Sequence, residues 1–174
     1  MDIGQATTFL TIRLMIIDRV RLGNALLALS TVFIFAYLMN YVWESFHAVF
    51  LYQDHDFKAE KYVLMLNYVA AMDGLLIVGM YVFVAILWKE ALWLKEMNIK
   101  QTSTTVALGL LIAALIEHRK VVVLKTWAYL PAMPTIFGIG ISPLLQLSAS
   151  GLLSIWLARR VWFSREKDDF RRNT

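Results

Sequence analysis

Glu44, Asp73, Glu117 and His47 are the side chains of this sequence best suited to moving a proton, and all four stand within or at the edge of long apolar stretches. A positioned carboxyl or imidazole can serve as general acid or base. An ionisable residue inside an apolar helix is costly enough that it calls for a role. Tyr37, Asn40, Trp43, Trp127, Tyr129 and Gln146 supply polar and aromatic groups that could line a ligand site beside them. Tyr37, Asn40, Glu44 and His47 recur at three- and four-residue steps and so share one helix face. Counted from Tyr62, Asp73 lies ~16 Å into its segment; counted from Ile136, Gln146 lies ~15 Å in, both near a bilayer midplane. Asn40 is shallower, and Glu44 and Glu117 shallower again. The expectation is a polar funnel running from one membrane face to the middle.

Such a funnel suits proton chemistry on an apolar lipid or isoprenoid. Glu44 or Asp73 would act as general acid, and Glu117 or His47 as base. Tyr37, Trp43 and Trp127 would wall the cavity, their π faces able to stabilise a developing cation. Isomerisation, cyclisation or hydration of this kind needs no cofactor, and the chain has no Walker loop, dinucleotide fingerprint, Gly-x-Ser-x-Gly or His-Glu-x-x-His. With no cysteine, thiolate metal sites and thiol nucleophiles are excluded. Glu44-x-x-His47 has the spacing of a di-iron ligand pair, which His55 and His118 could supplement. Three histidines in all are too few for such a centre, and no metal is expected.

Structural roles compete with each of these. Asp73 could hydrogen-bond Asn40, Asn67 or Gln146 and set helix register. Glu44 could pair with Arg119 or Lys120, and Glu117 with its basic neighbours. Ser142, Ser150 and Ser154 fit a small-residue packing stripe. The alternative function is accordingly non-enzymatic: a lipid or small-molecule binder, a transport unit, or a subunit of a membrane complex.

The elements that must carry these residues are helices. The chain has 174 residues, 59% of them hydrophobic and only 17% charged, and a mean hydropathy of +0.60. That is a single domain too apolar for a soluble bundle. Four runs, 24–48, 62–88, 102–117 and 136–161, are read as transmembrane helices of an all-α polytopic bundle, with 9–22 as an interfacial helix rather than a removable signal. A charged tail follows over 164–174. Segment 117–125 is ambiguous, either leaving the membrane at Glu117 or lining a wet cavity. Trp127 to Pro134 reads as a non-helical interfacial connector. Twelve Lys and Arg fall on the side of the termini and five on the other, which puts both termini in the cytoplasm. Basic residues gathered at membrane boundaries answer to lipid headgroups, so no nucleic-acid partner is expected. Small-residue faces would permit a homo-oligomer.

Asn40-x-x-Trp43-Glu44, with Trp127-x-Tyr129-x-x-x-Met133-Pro134 and Pro143-Leu144-Leu145-Gln146, resembles a family of small uncharacterised prokaryotic integral-membrane proteins. The resemblance covers roughly positions 40–160 and implies a prokaryotic inner membrane, but no activity. Trp43-Glu44 near the end of a first membrane helix, and more loosely Asp73, are also similar to the membrane terpene cyclases and the sterol-isomerase (emopamil-binding) group. That likeness implies an acidic residue protonating an alkene or epoxide in a membrane cavity.

Overall fold

The computed structural model describes residues 3–53 and 58–172, with side chains described at Arg19 and over 22–53 and 58–165. Four helices dominate: α1 (Ile3–Phe50), α2 (Ala59–Leu87), α3 (Ile99–Glu117) and α4 (Ile141–Arg172). Leu22–Phe50, Ala59–Leu87 and Ile141–Arg165 are long and apolar enough to cross a membrane. Together they make the build of a membrane protein. At 1.5 Å per residue each exceeds the ~30 Å hydrocarbon core. Large apolar side chains such as Leu26, Ile34, Leu64, Leu75, Ile86 and Leu111 face outward, as lipid requires and water would not.

Two expectations are met only at the level of helix. α3 has only 19 residues and opens on Lys100-Gln101-Thr102-Ser103-Thr104-Thr105, so it lacks the apolar length of the other three. Segment 9–22 is the early part of one helix, α1, which runs unbroken from Ile3 to Phe50. No proline interrupts it, and the Arg, Leu, Met and Ile of that segment are compatible with helix. At the other end α4 stays helical to Arg172, through most of the expected tail; 173 and 174 lie outside the described residues.

The helices form a ring in the order α2, α1, α4, α3, and α2 meets α3 far more sparsely than any other neighbours meet. α1 and α2 run antiparallel: Tyr37 reaches Asn67, while Tyr62 OH donates to the Ser45 carbonyl at 3.1 Å. α3 and α4 approach closely at Gly109, where an added Cβ would lie 2.5 Å from Ser148 Oγ and 2.8 Å from its backbone nitrogen. Ser148 Oγ donates to the Val106 carbonyl at 2.9 Å across this contact. A small residue that lets two backbones approach is a characteristic membrane packing device.

At the end that holds the termini the ring closes over an apolar core of Val32, Ile77, Val84, Leu94 and Ile155. Trp93, in a single 3₁₀ turn (Trp93–Lys95), stacks on Tyr81 at 4.9 Å and donates to its carbonyl at 3.2 Å. α3 then starts on a capping box: Asn98 accepts from the Gln101 backbone at 3.1 Å, and the Gln101 side chain accepts from the Asn98 backbone at 3.3 Å.

At the opposite end α3 passes into a wider π-type turn (His118–Val123), after which the chain leaves helix and makes a small hairpin, β1 (Thr135–Ile136) and β2 (Ile139–Gly140). Its two-residue turn puts Phe137 at φ +52° and Gly138 at φ +76°, the left-handed pair such a turn requires. This connector is tied to the end of α1 by backbone bonds, Gln53 N to Ala128 O and Leu130 N to Leu51 O, each 2.9 Å.

Replacing Gly109 should therefore force α3 and α4 apart. Gly109→Val is expected to destabilise the detergent-solubilised protein by about 1–3 kcal/mol through overpacking. Gly23→Ala, whose new Cβ would meet nothing within 4 Å, should not lower the melting temperature.

Candidate functional site

Gln146 is the junction of the site. α4 begins at Ile141, and Pro143 sits in its first turn, where its missing N–H costs no helix bond. One turn further on, buried Gln146 projects between α1 and α2. Its Nε2 donates to Asn40 Oδ1 at 3.0 Å, to Glu44 Oε1 at 2.6 Å and to Asp73 Oδ2 at 3.0 Å. Asn40 is fully buried and fixed from both sides: its Nδ2 donates to the Ala36 carbonyl at 2.8 Å, and its Oδ1 also accepts from Ser150 at 3.2 Å. Three helices thus bring two carboxyls and two amides to one point.

Glu117, at the last position of α3, is the third acid. Tyr52 OH donates to its Oε1 at 3.0 Å and Tyr129 OH donates to its Oε2. The two tyrosines form a backbone bridge, and Tyr129 OH also accepts from Gly140 N at 3.0 Å. Burial, reinforced by the Glu117 carboxyl, pushes both phenols well above the ordinary tyrosine range. Both therefore remain donors to Glu117 at any physiological pH.

These groups surround a cavity of about 200 Å³. Glu44, Asp73, Glu117, Gln146, Tyr52 and Trp127 provide its polar and aromatic wall; Met65, Leu66, Val69, Ala113, Ile116 and Leu147 provide much of the apolar remainder. Among the described residues no Lys, Arg or His lines it. Its α2 and α3 walls flank the sparse seam between those helices.

The expected residues divide. Asn40, Glu44, Asp73, Glu117, Trp127, Tyr129 and Gln146 lie on the cavity or are bonded directly to groups on it. Tyr37, Trp43 and His47 do not line it. Tyr37 donates to Asn67 instead and stacks on Phe33. Trp43 Nε1 donates to His47 Nε2 at 2.6 Å, and both residues border a separate apolar groove between α1 and α4. Ser142 Oγ lies 2.7 Å from the same His47 nitrogen. Because indole N–H can only donate, that nitrogen is an acceptor and the ring proton sits on Nδ1, which is buried without a hydrogen-bond partner among the described residues. Glu44 and His47 consequently serve different spaces and do not converge as a ligand pair.

Glu117 bonds tyrosines rather than Arg119 or Lys120; the Lys120 ammonium instead lies 5.4 Å from the Trp127 ring centroid. His118 is exposed, and His55 lies outside the described residues. Among the described residues no group of three or more His, Asp or Glu is placed to hold a metal ion.

Sequence reasoning overlooked Tyr52, which follows the end of α1 and gains its place only through the bridge to Tyr129, 77 positions away. The amphipathic aromatic just past a helix end was the available signal. Ser150, read as part of a packing stripe, also feeds a hydrogen bond into the site. Searches against protein-family models, curated proteins and solved structures found no match to this chain.

Removing the junction should be costly. Gln146→Leu leaves Asn40, Glu44 and Asp73 short of a donor and is expected to cost about 1–3 kcal/mol in reversible unfolding. In a double-mutant cycle with Asn40→Leu, the combined loss should be smaller than the sum of the two single losses.

Proposed function

We propose that this is an integral membrane enzyme performing cofactor-independent acid/base chemistry, isomerisation, cyclisation or hydration, on a lipophilic substrate such as a lipid or isoprenoid. The observation that carries the reading is the gathering of Glu44, Asp73 and Glu117 around one cavity that no Lys, Arg or His lines among the described residues. The two hydrogens of the Gln146 amide face three acceptor oxygens. A proton carried by Glu44 or Asp73 is the one available to a substrate double bond. The carbocation so formed sits among carboxyls and the π face of Trp127. Glu117, steadied by Tyr52 and Tyr129, then removes a proton from the neighbouring carbon and the double bond is restored one position along. His47, away from the cavity, has no part in this step.

In this reading α3 crosses the membrane with α4, giving four spans, and both termini are cytoplasmic in a prokaryotic inner membrane. The charge distribution supports that orientation. Transport fits less well, because beyond Asp73 and Gln146 the core is mainly apolar, with Ile77, Met80, Val84 and Ile155, and its buried Thr105 and Ser154 bond carbonyls of their own helices. A binder without catalysis is the second reading, favoured by the fact that every cavity carboxyl already has a hydrogen-bond donor.

The lipid profile of cells expressing wild type is compared with that of cells expressing Glu44→Gln or Asp73→Asn, in deuterated water. Wild type should produce a shifted or cyclised lipid carrying deuterium. Each variant should lower its formation by about 10²-fold or more, the usual contribution of a general acid. Profiles and deuterium content indistinguishable from wild type would end the enzymatic reading.

A further inference from the structure

The acidic cavity does not stand alone on its seam. Towards the termini it is followed by an apolar groove of about 370 Å³ formed only by α2 and α3, with Met72, Leu76, Gly79, Phe83, Leu108 and Ile112 among its walls. Neighbouring residues of both helices line the two spaces. Met72 of the groove adjoins Asp73 of the cavity, and Ile112 of the groove adjoins Ala113 of the cavity. No residue of α1 or α4 lines the groove, so its open side faces lipid. From Asp73 to Phe83 it runs ~15 Å along the helix axis.

We infer that the substrate enters sideways from the bilayer between α2 and α3, and that it is a single-chain lipid whose leading end carries a hydroxyl or amine and no anion. This deepens the proposed acid/base reading and rests on the same cavity. The groove supplies the chain class: it is apolar, runs along two helices and begins at the residues next to Asp73 and Ala113, which suits one linear chain. The cavity supplies the class of the leading end. Its carboxyl oxygens accept hydrogen bonds from a hydroxyl or ammonium, and Trp127 adds an aromatic face. A phosphate or carboxylate would meet three acids in a low-dielectric space that no cation lines among the described residues, and like charges there repel strongly. The sparse α2–α3 contact lets the chain pass without unpacking the tight α3–α4 face at Gly109.

Gly79 provides the means to test the route. An added Cβ there meets nothing within 4 Å, so a large side chain would occupy the groove rather than collide with a helix. Binding of radiolabelled dodecanol, dodecylamine and dodecyl phosphate is measured on the full chain in phosphatidylcholine nanodiscs. Wild type should bind the alcohol and the amine at least tenfold more tightly than the phosphate. Gly79→Phe, or Leu108→Trp from the facing helix should the first not fold, should weaken both by at least tenfold at unchanged helicity. Equal or tighter binding of the phosphate would overturn the assignment of the leading end, as would failure of all three probes to bind. Unchanged binding in both groove variants would overturn the route. Normal binding of the alcohol by Glu44→Gln, together with unaltered lipid products, would instead remove catalysis and leave the entry route standing.

Discussion

One side-chain amide holds the site together. The Gln146 Nε2 reaches acceptors on α1 and α2 from α4, and it does so inside apolar surroundings where water cannot substitute for a lost partner. Helices in lipid have little hydrophobic reason to choose one register over another, because tails and side chains are equally apolar. Van der Waals fit and a few interhelical hydrogen bonds must choose it. Sliding α4 by one turn would strand Asn40, Glu44 and Asp73 together, and that penalty makes the observed register distinct. α3 takes no part in the junction. It is held mainly by its packing on α4, and its meeting with α2 is left loose.

The cavity tolerates three acids by surrounding them with hydrogens instead of cations. Gln146 serves two carboxyls, and Tyr52 and Tyr129 serve the third. A lysine or arginine would neutralise the site and occupy its volume. Neutral donors leave the acids available to whatever enters. The same arrangement explains why the connector after α3 is so extensively bonded to the end of α1: Tyr52 and Tyr129 can hold Glu117 only while their two loops stay paired.

Much of this geometry was legible in the sequence because polar residues are conspicuous in apolar segments. Counting residues put Asp73 and Gln146 at one depth, and their side chains are 3.0 Å apart. Facing was harder to read. Tyr37, Asn40, Glu44 and His47 share a helix face by period, yet that face is wide enough for its edges to serve different neighbours. Glu44 turns to the cavity, while His47 turns to the groove beside Ser142. The pairing of Tyr52 with Tyr129 was not readable at all, since it depends on a backbone bridge between distant loops. The apolar reach of α3 was also hard to read. Its apolar run from Val106 to Ile116 reads as a span, but the threonine-rich start shortens the stretch that lipid would accept.

The close contact at Gly109 bears on how the chain reaches the membrane. In the proposed topology α3, with its Lys, Gln, Ser and Thr start, is a poor candidate for insertion on its own merits, because that start leaves an apolar stretch shorter than a membrane span needs. α4 is longer and passes the apolar threshold unaided. Paired through Gly109 and Ser148, the two can partition as a helical hairpin in which the stronger member carries the weaker. The biogenesis of the acidic cavity then waits on the C-terminal helix: until α4 has emerged and inserted, neither Glu117 nor Gln146 has a place to go.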